Sequence, residues 1–94
     1  MSTKKKIMLR ISLCPTGLEQ GREGDLLNES AVFDAIRAAA ILQWPACLVE
    51  FGTLQVGHRQ GDEFARCWVD GERDDSQVES LLDAIDWSDE RLYQ

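Results

Sequence analysis

The residues of this chain able to carry covalent or metal chemistry are three cysteines, Cys14, Cys47 and Cys67, one histidine, His58, and a surplus of carboxylates. Three thiols and an imidazole equal a zinc ligand set in number, but no two of them fall at the roughly two-to-four-residue spacing of zinc knuckles. An odd cysteine count spread through predicted strands is the distribution of reduced core thiols, not of a disulfide framework. His58 follows Gly57 near a predicted turn, and a general base needs its nucleophile within hydrogen-bond reach, which nothing beside it supplies. It therefore reads as a turn or surface residue. A glycosidase pair must flank a sugar-sized cleft, for which 94 residues leave little room. The expectation is a non-enzymatic protein with no catalytic residue, no metal and no cofactor.

One short motif points elsewhere. Cys14-Pro15-Thr16-Gly17 directly follows a predicted strand and resembles the active-site tetrapeptide of fructose-type phosphotransferase IIB domains. The resemblance covers those residues and the strand before them, and it implies a phosphocarrier in which Cys14 takes the phosphoryl group in a loop opening onto a helix. Such a cradle uses backbone N–H groups at a helix N-terminus in a site free of negative charge. Here Glu19, Glu23 and Asp25 follow, interspersed with glycines, and no doubly wound βαβ pattern surrounds the motif. Arg22 lies too far from Cys14 for the cysteine-to-arginine loop of tyrosine phosphatases.

The carboxylates are distributed unevenly. Residues 1–58 hold as many bases as acids, so the whole net charge of −7 falls in the last third, where only Arg59, Arg66, Arg73 and Arg91 oppose the acids. On a helical wheel Asp75, Glu79, Asp83, Asp86 and Glu90 form one stripe, with Asp74 and Asp89 beside it. Asp83 and Asp86 then stand toward the negative end of the helix dipole, where they destabilise it. Solubility alone does not require that placement, so the stripe reads as a surface for a basic partner, with Trp87 as an aromatic anchor and Tyr93 packing nearby. The expected partner-binding set is Asp74, Asp75, Glu79, Asp83, Asp86, Asp89, Glu90 and Trp87. A basic, nucleic-acid-binding protein is the natural target, and the acids would mimic the charge of DNA in part. Direct nucleic-acid binding fits poorly, since Lys4-Lys5-Lys6 is the one basic cluster. The functional expectation is an acidic inhibitor, comparable in size and charge to phage or mobile-element anti-defence proteins of the anti-CRISPR type. Alternatives are an immunity protein or antitoxin that neutralises a nuclease-type toxin, and the Cys14 phosphocarrier.

These residues have to be positioned by a small set of elements. Ile7, Leu9, Ile11 and Leu13 alternate with Met8, Arg10 and Ser12, the pattern of a half-buried strand. Residues 17–27 have no periodicity and predict a surface loop after a flexible leader at 1–5. Asn28 predicts a helix cap, with Leu27 and Val32 as its staple, for a helix running to about Gln43 and closed by Pro45. Its inward residues would be Val32, Phe33, Ile36, Ala39 and Ala40. Cys47–Phe51, Leu54–Val56 and Phe64–Val69 carry β signals; Gly52 marks either a bulge in one strand or a turn between two. Asp70-Gly71 ends the sheet. Ser76-Gln77-Val78-Glu79 fits a capping box for a last helix with Val78, Leu81, Leu82 and Ile85 inward. The order β-α-β-β-(β)-α predicts a single α+β domain, a small antiparallel sheet of three to four strands with both helices on one face. With no signal peptide and no apolar run long enough to span a bilayer, the reading is a cytoplasmic monomer or weak homodimer without membrane contact.

Overall fold

A computed structural model describes residues 4–17, 22–57 and 61–94. The chain forms an α+β fold: a four-stranded mixed sheet, a two-stranded ribbon and two helices. Strand β1 (Lys6–Leu13) lies inside the main sheet, flanked by β4 (Leu48–Val56) and β5 (Phe64–Val69), with β6 (Glu72–Arg73) outside β5. The alternation in β1 holds from Ile7 to Ile11, with Ile7, Leu9 and Ile11 buried and Arg10 exposed; beyond it Ser12, expected on the outward side, is buried too, its hydroxyl accepting from the Gln55 amide at 3.2 Å.

Strand direction departs from the prediction in one place. β5 and β6 pair antiparallel, but β4 runs parallel to β1. The connection from β1 to β4 passes through helix α1 (Glu29–Gln43), and a crossover helix is the usual way to return a chain parallel to its starting strand. Gly52 is a bulge within one continuous β4, since the register shifts there from Leu9 opposite Phe51 to Arg10 opposite Thr53. The extra residue keeps Phe51 and Leu54 on the side of Leu9 and Ile11, and Glu50, Thr53 and Gln55 on the side of Met8, Arg10 and Ser12. The Asp70-Gly71 pair, both residues at positive φ, turns β5 into β6 instead of ending the sheet, and the four strands that result fall within the three to four expected.

Helix α1 begins where the sequence places it. Asn28 Oδ1 accepts from the Ala31 N–H at 3.3 Å, Leu27 is buried, and Trp44 closes the last turn with its N–H on the Ala40 carbonyl before Pro45. Val32, Ile36 and Ala40 are buried; Phe33 and Ala39 are half-buried at the margin. Helix α2 (Ser76–Asp83) buries Val78 and Leu81. Both helices share one hydrophobic cluster with the inward side chains of β1 and with Cys67, so they cover the same face of the sheet.

Two local expectations are corrected. The stretch expected as a surface loop at 17–27 contains β3 (Arg22–Leu26), which pairs with β2 (Thr16–Gly17); residues 18–21 lie outside the described residues. The last helix stops at Asp83, so Asp86 and Glu90 are not on it. The cause lies in the next few residues. Asp86 Oδ1 accepts from the Ser88 backbone N–H at 3.1 Å and from the Ser88 hydroxyl, a local turn that competes with helix. Trp87 donates its indole N–H to the Leu82 carbonyl at 2.9 Å, satisfying one of the acceptors a helix end leaves open. A 3-10 turn, Glu90–Leu92, follows. The tail then docks on the start of α1: the Asn28 N–H reaches the Leu92 carbonyl at 2.8 Å, and the Gln94 N–H reaches the Leu26 carbonyl at 2.8 Å.

Candidate functional site

The acidic residues singled out from sequence divide into two groups. Asp74, Asp75 and Asp89 serve the fold. The capping box does not form: Asp75 occupies the cap position of α2 without a side-chain bond into the helix, and Ser76 gives its hydroxyl hydrogen to Asp74. The Ser76 hydroxyl, and then the Gln77 amide, hold the Asp74 carboxyl below its ordinary range. Asp75 turns back to the sheet edge. Its carboxylate takes Arg73 through both Nε and Nη2, at 3.1 and 2.8 Å, and accepts the Cys67 backbone N–H at 3.2 Å. The Arg73 bonds, reinforced by the Cys67 N–H, keep its carboxyl low as well. Asp89 caps the 3-10 turn by accepting the Arg91 N–H at 3.0 Å while the Arg91 guanidinium grips the same carboxylate. The guanidinium foremost, and the backbone N–H after it, bring Asp89 down to about 2.

Glu79, Asp83, Asp86 and Glu90 form the second group. All four are exposed, and among the described residues no cation lies within ion-pair distance of any of them. Glu79 and Asp83 stand one turn apart on α2. Asp86, together with Asp89, borders a shallow groove whose floor is apolar, made by Ala35, Ala39 and Leu42 of α1 with Ile85 and Leu92. The continuous helical stripe is therefore replaced by a helix face and a turn. Trp87 is half-buried and tied at both ends, since its indole N–H holds Leu82 and its carbonyl accepts the Tyr93 hydroxyl at 2.8 Å. Its first task is to close α2, and Tyr93 is buried as the packing role predicts.

The thiols are all free. Cys14 and Cys67 are buried, and Cys47 is half-buried. Burial, followed by the nearby Asp74 and Asp75 charges, pushes the Cys67 thiol up to about 11, far from thiolate at neutral pH. Cys14 Sγ lies 3.7 Å from the Thr16 hydroxyl, and the chain beyond it enters strand β2. Among the described residues directly after it, no helix N-terminus opens, which the phosphoryl-carrier chemistry needs. His58 lies outside the described residues. No group of three or more His, Cys, Asp or Glu side chains among the described residues is placed to hold a metal ion, and no helix there is long and apolar enough to cross a membrane.

The helix-free face of the sheet is a feature that sequence reasoning missed. Met8, Arg10 and Ser12 of β1 stand opposite Trp68, Arg66 and Phe64 of β5 on that face. The Arg10 and Arg66 guanidinium groups each lie 5.8 Å from the centroid of the Phe64 ring. The signal was present in the alternation of both strands, Met-Arg-Ser and Phe-Arg-Trp, but it becomes a cluster only once the register is known. Comparison of the chain with protein-family models, with curated proteins and with solved structures gives no match.

Proposed function

We propose that the protein is a non-enzymatic inhibitor that uses the carboxylates of α2 and the turn after it to occupy a basic, nucleic-acid-binding surface of a partner protein. One observation carries this reading. In the acidic third Arg73 is taken by Asp75 and Arg91 by Asp89, and Arg66 lies over Phe64 on the sheet, while Glu79, Asp83, Asp86 and Glu90 are left exposed without a cation among the described residues. A chain that only needed solubility could scatter its acids. Here Asp83 is the last residue of a helix that has no base in its last turn, and Glu79 stands one turn before it on the same face. The apolar groove beside Asp86 supplies a place for an aliphatic stem of a lysine or arginine, whose charged head would meet the acids on its border. The finer reading is an anti-defence inhibitor of phage or mobile-element type that competes with DNA or RNA for its target.

The test is capture of partners from the native host, or from a host carrying a nucleic-acid-targeting defence system, on the immobilised protein. The retained partner should be released between low and high salt and by added duplex DNA or RNA, because all compete for the same cations. Glu79→Lys with Glu90→Lys should abolish retention while the protein stays folded. A partner held equally well at high salt and by the charge-reversed variant would end this reading.

A further inference from the structure

On the open face of the sheet, besides Glu50 and its partner Lys6, two arginines stand together in an arrangement that the fold does not need. Arg10 and Arg66 are direct cross-strand neighbours in the β1–β5 ladder, where like charges destabilise a sheet. Both converge on one ring, Phe64. Neither has a carboxylate within ion-pair distance among the described residues. Arg10 is steadied by its Nε–H on the Thr53 hydroxyl at 3.3 Å, which leaves its two Nη groups without a hydrogen-bond partner among the described residues. Arg66 acts on Asp75 only at longer range, since the Asp75 oxygens are taken by Arg73 and by the Cys67 N–H. The bulge glycine lies against the same grouping: a Cβ at Gly52 would stand 3.0 Å from Met8 Sδ, so that Met8 would have to give by a few tenths of an ångström, and at ordinary contact distance, 3.5 Å, from Arg10 Cγ.

We infer that this face is a docking surface for an acidic segment of a partner protein, whose carboxylates are received by Arg10 and Arg66 and whose adjoining apolar side chain rests on Met8 and Trp68. Guanidinium forks bind carboxylates in two-point fashion, and stacking on Phe64 holds them in place before the partner arrives. Arginine and tryptophan are the residue types that dominate protein interfaces when truncated. Charge complementarity selects a protein over a nucleic acid: two unpaired guanidinium groups match a pair of carboxylates. A polyphosphate strand would meet the remaining acids of a chain whose net charge is −7. This surface is separate from the carboxylates of α2, so the two readings stand or fall independently.

The experiment is selection of a displayed random-peptide library on the full immobilised chain, followed by titration of the enriched peptides against variants. Enriched peptides should carry two or more acids beside an aromatic or aliphatic residue. Their affinity should fall about tenfold or more in the Arg10→Gln/Arg66→Gln variant. That variant should melt no lower than the parent, because it removes a like-charged pair. Glu79→Lys with Glu90→Lys, the change that tests the inhibitor reading, should not weaken these peptides. Enrichment of non-acidic peptides, equal binding to the double glutamine variant, or no enrichment at all would overturn the inference. A single-stranded oligothymidylate that binds more tightly than the peptides, and loses its binding with the same two arginines, would overturn it in favour of a nucleic-acid surface.

Discussion

Asp83→Lys offers the sharpest energetic check of the acidic helix face. Asp83 is the last residue of α2, it is exposed, and the last turn holds no base. A cation there meets the negative end of the helix dipole, worth about 0.3–1 kcal/mol at a surface site. Glu79 lies four residues earlier, so the change removes a like-charge pair and creates a glutamate-to-lysine pair in the favourable direction, each worth about 0.2–0.5 kcal/mol. The contributions have the same sign, and a net stabilisation of about 1 kcal/mol is the central expectation. For a domain of this size that raises Tm by roughly 4–8 °C. Asp86→Lys should behave in the opposite way, since it removes the acceptor of the Ser88 N–H and costs about 0.5–2 kcal/mol, in the range of a lost cap. Thermal melts followed by circular dichroism would read both. At about 0.5 M salt, where the screening length is near 4 Å, most of the Asp83→Lys gain should vanish while the Asp86→Lys loss persists. A Tm for Asp83→Lys that is unchanged or lower at low salt would refute the dipole argument and, with it, the claim that these acids are held against the interest of the helix.

The remaining predictions concern protons and thiols. Asp89 titrates near 2 when folded and near its ordinary value of about 3.9 when unfolded, so its contribution to stability is complete above about pH 4 and is lost as pH falls toward 2. Asp89→Asn should therefore flatten the acid limb of the denaturation midpoint against pH; an identical limb in the variant would show that the Arg91 contact does not persist in solution. Native alkylation with iodoacetamide at pH 8 should modify half-buried Cys47 first, with Cys14 and Cys67 reacting only on unfolding. Peptide mapping that found Cys67 labelled as fast as Cys47 would contradict its place in the core.

Much of the fold can be read from local patterns. The two-residue alternation from Ile7 to Ile11, the Asn28 cap and the Trp44-Pro45 stop each act over a few residues, and each operates as the sequence predicts. The direction of β4 is not written locally, because a strand's side-chain period is the same whether its neighbour runs parallel or antiparallel. The extent of α2 was overread for a different reason. The spacing of Asp83, Asp86 and Glu90 continues the helical period, but the Asp86 carboxylate and the Trp87 indole spend themselves on nearby backbone groups, and a wheel cannot register that competition. Asp75, expected in the stripe, and Asp89, expected beside it, are taken by Arg73 and Arg91, each two residues away; both pairs close within turns, a contact that a helical wheel does not display because residues two apart on a helix do not face each other. The arginine pair on the sheet was invisible for the opposite reason, since its members are separated by most of the chain.

The position of β1 between β4 and β5 bears on how the molecule is made. Its neighbours arrive late: Ile7 pairs with Val49 on one side and Val69 on the other, so the apolar side of the first strand waits for on the order of 60 further residues before its sheet can close. At ordinary translation speeds that is several seconds or more, with Ile7, Leu9 and Ile11 unshielded on the nascent chain. Closing such distant pairs also places folding on the slow side for a small domain. Cells producing the protein quickly would thus be expected to engage chaperones at this segment, and yield should respond to expression temperature more strongly than the stability of the finished molecule would suggest.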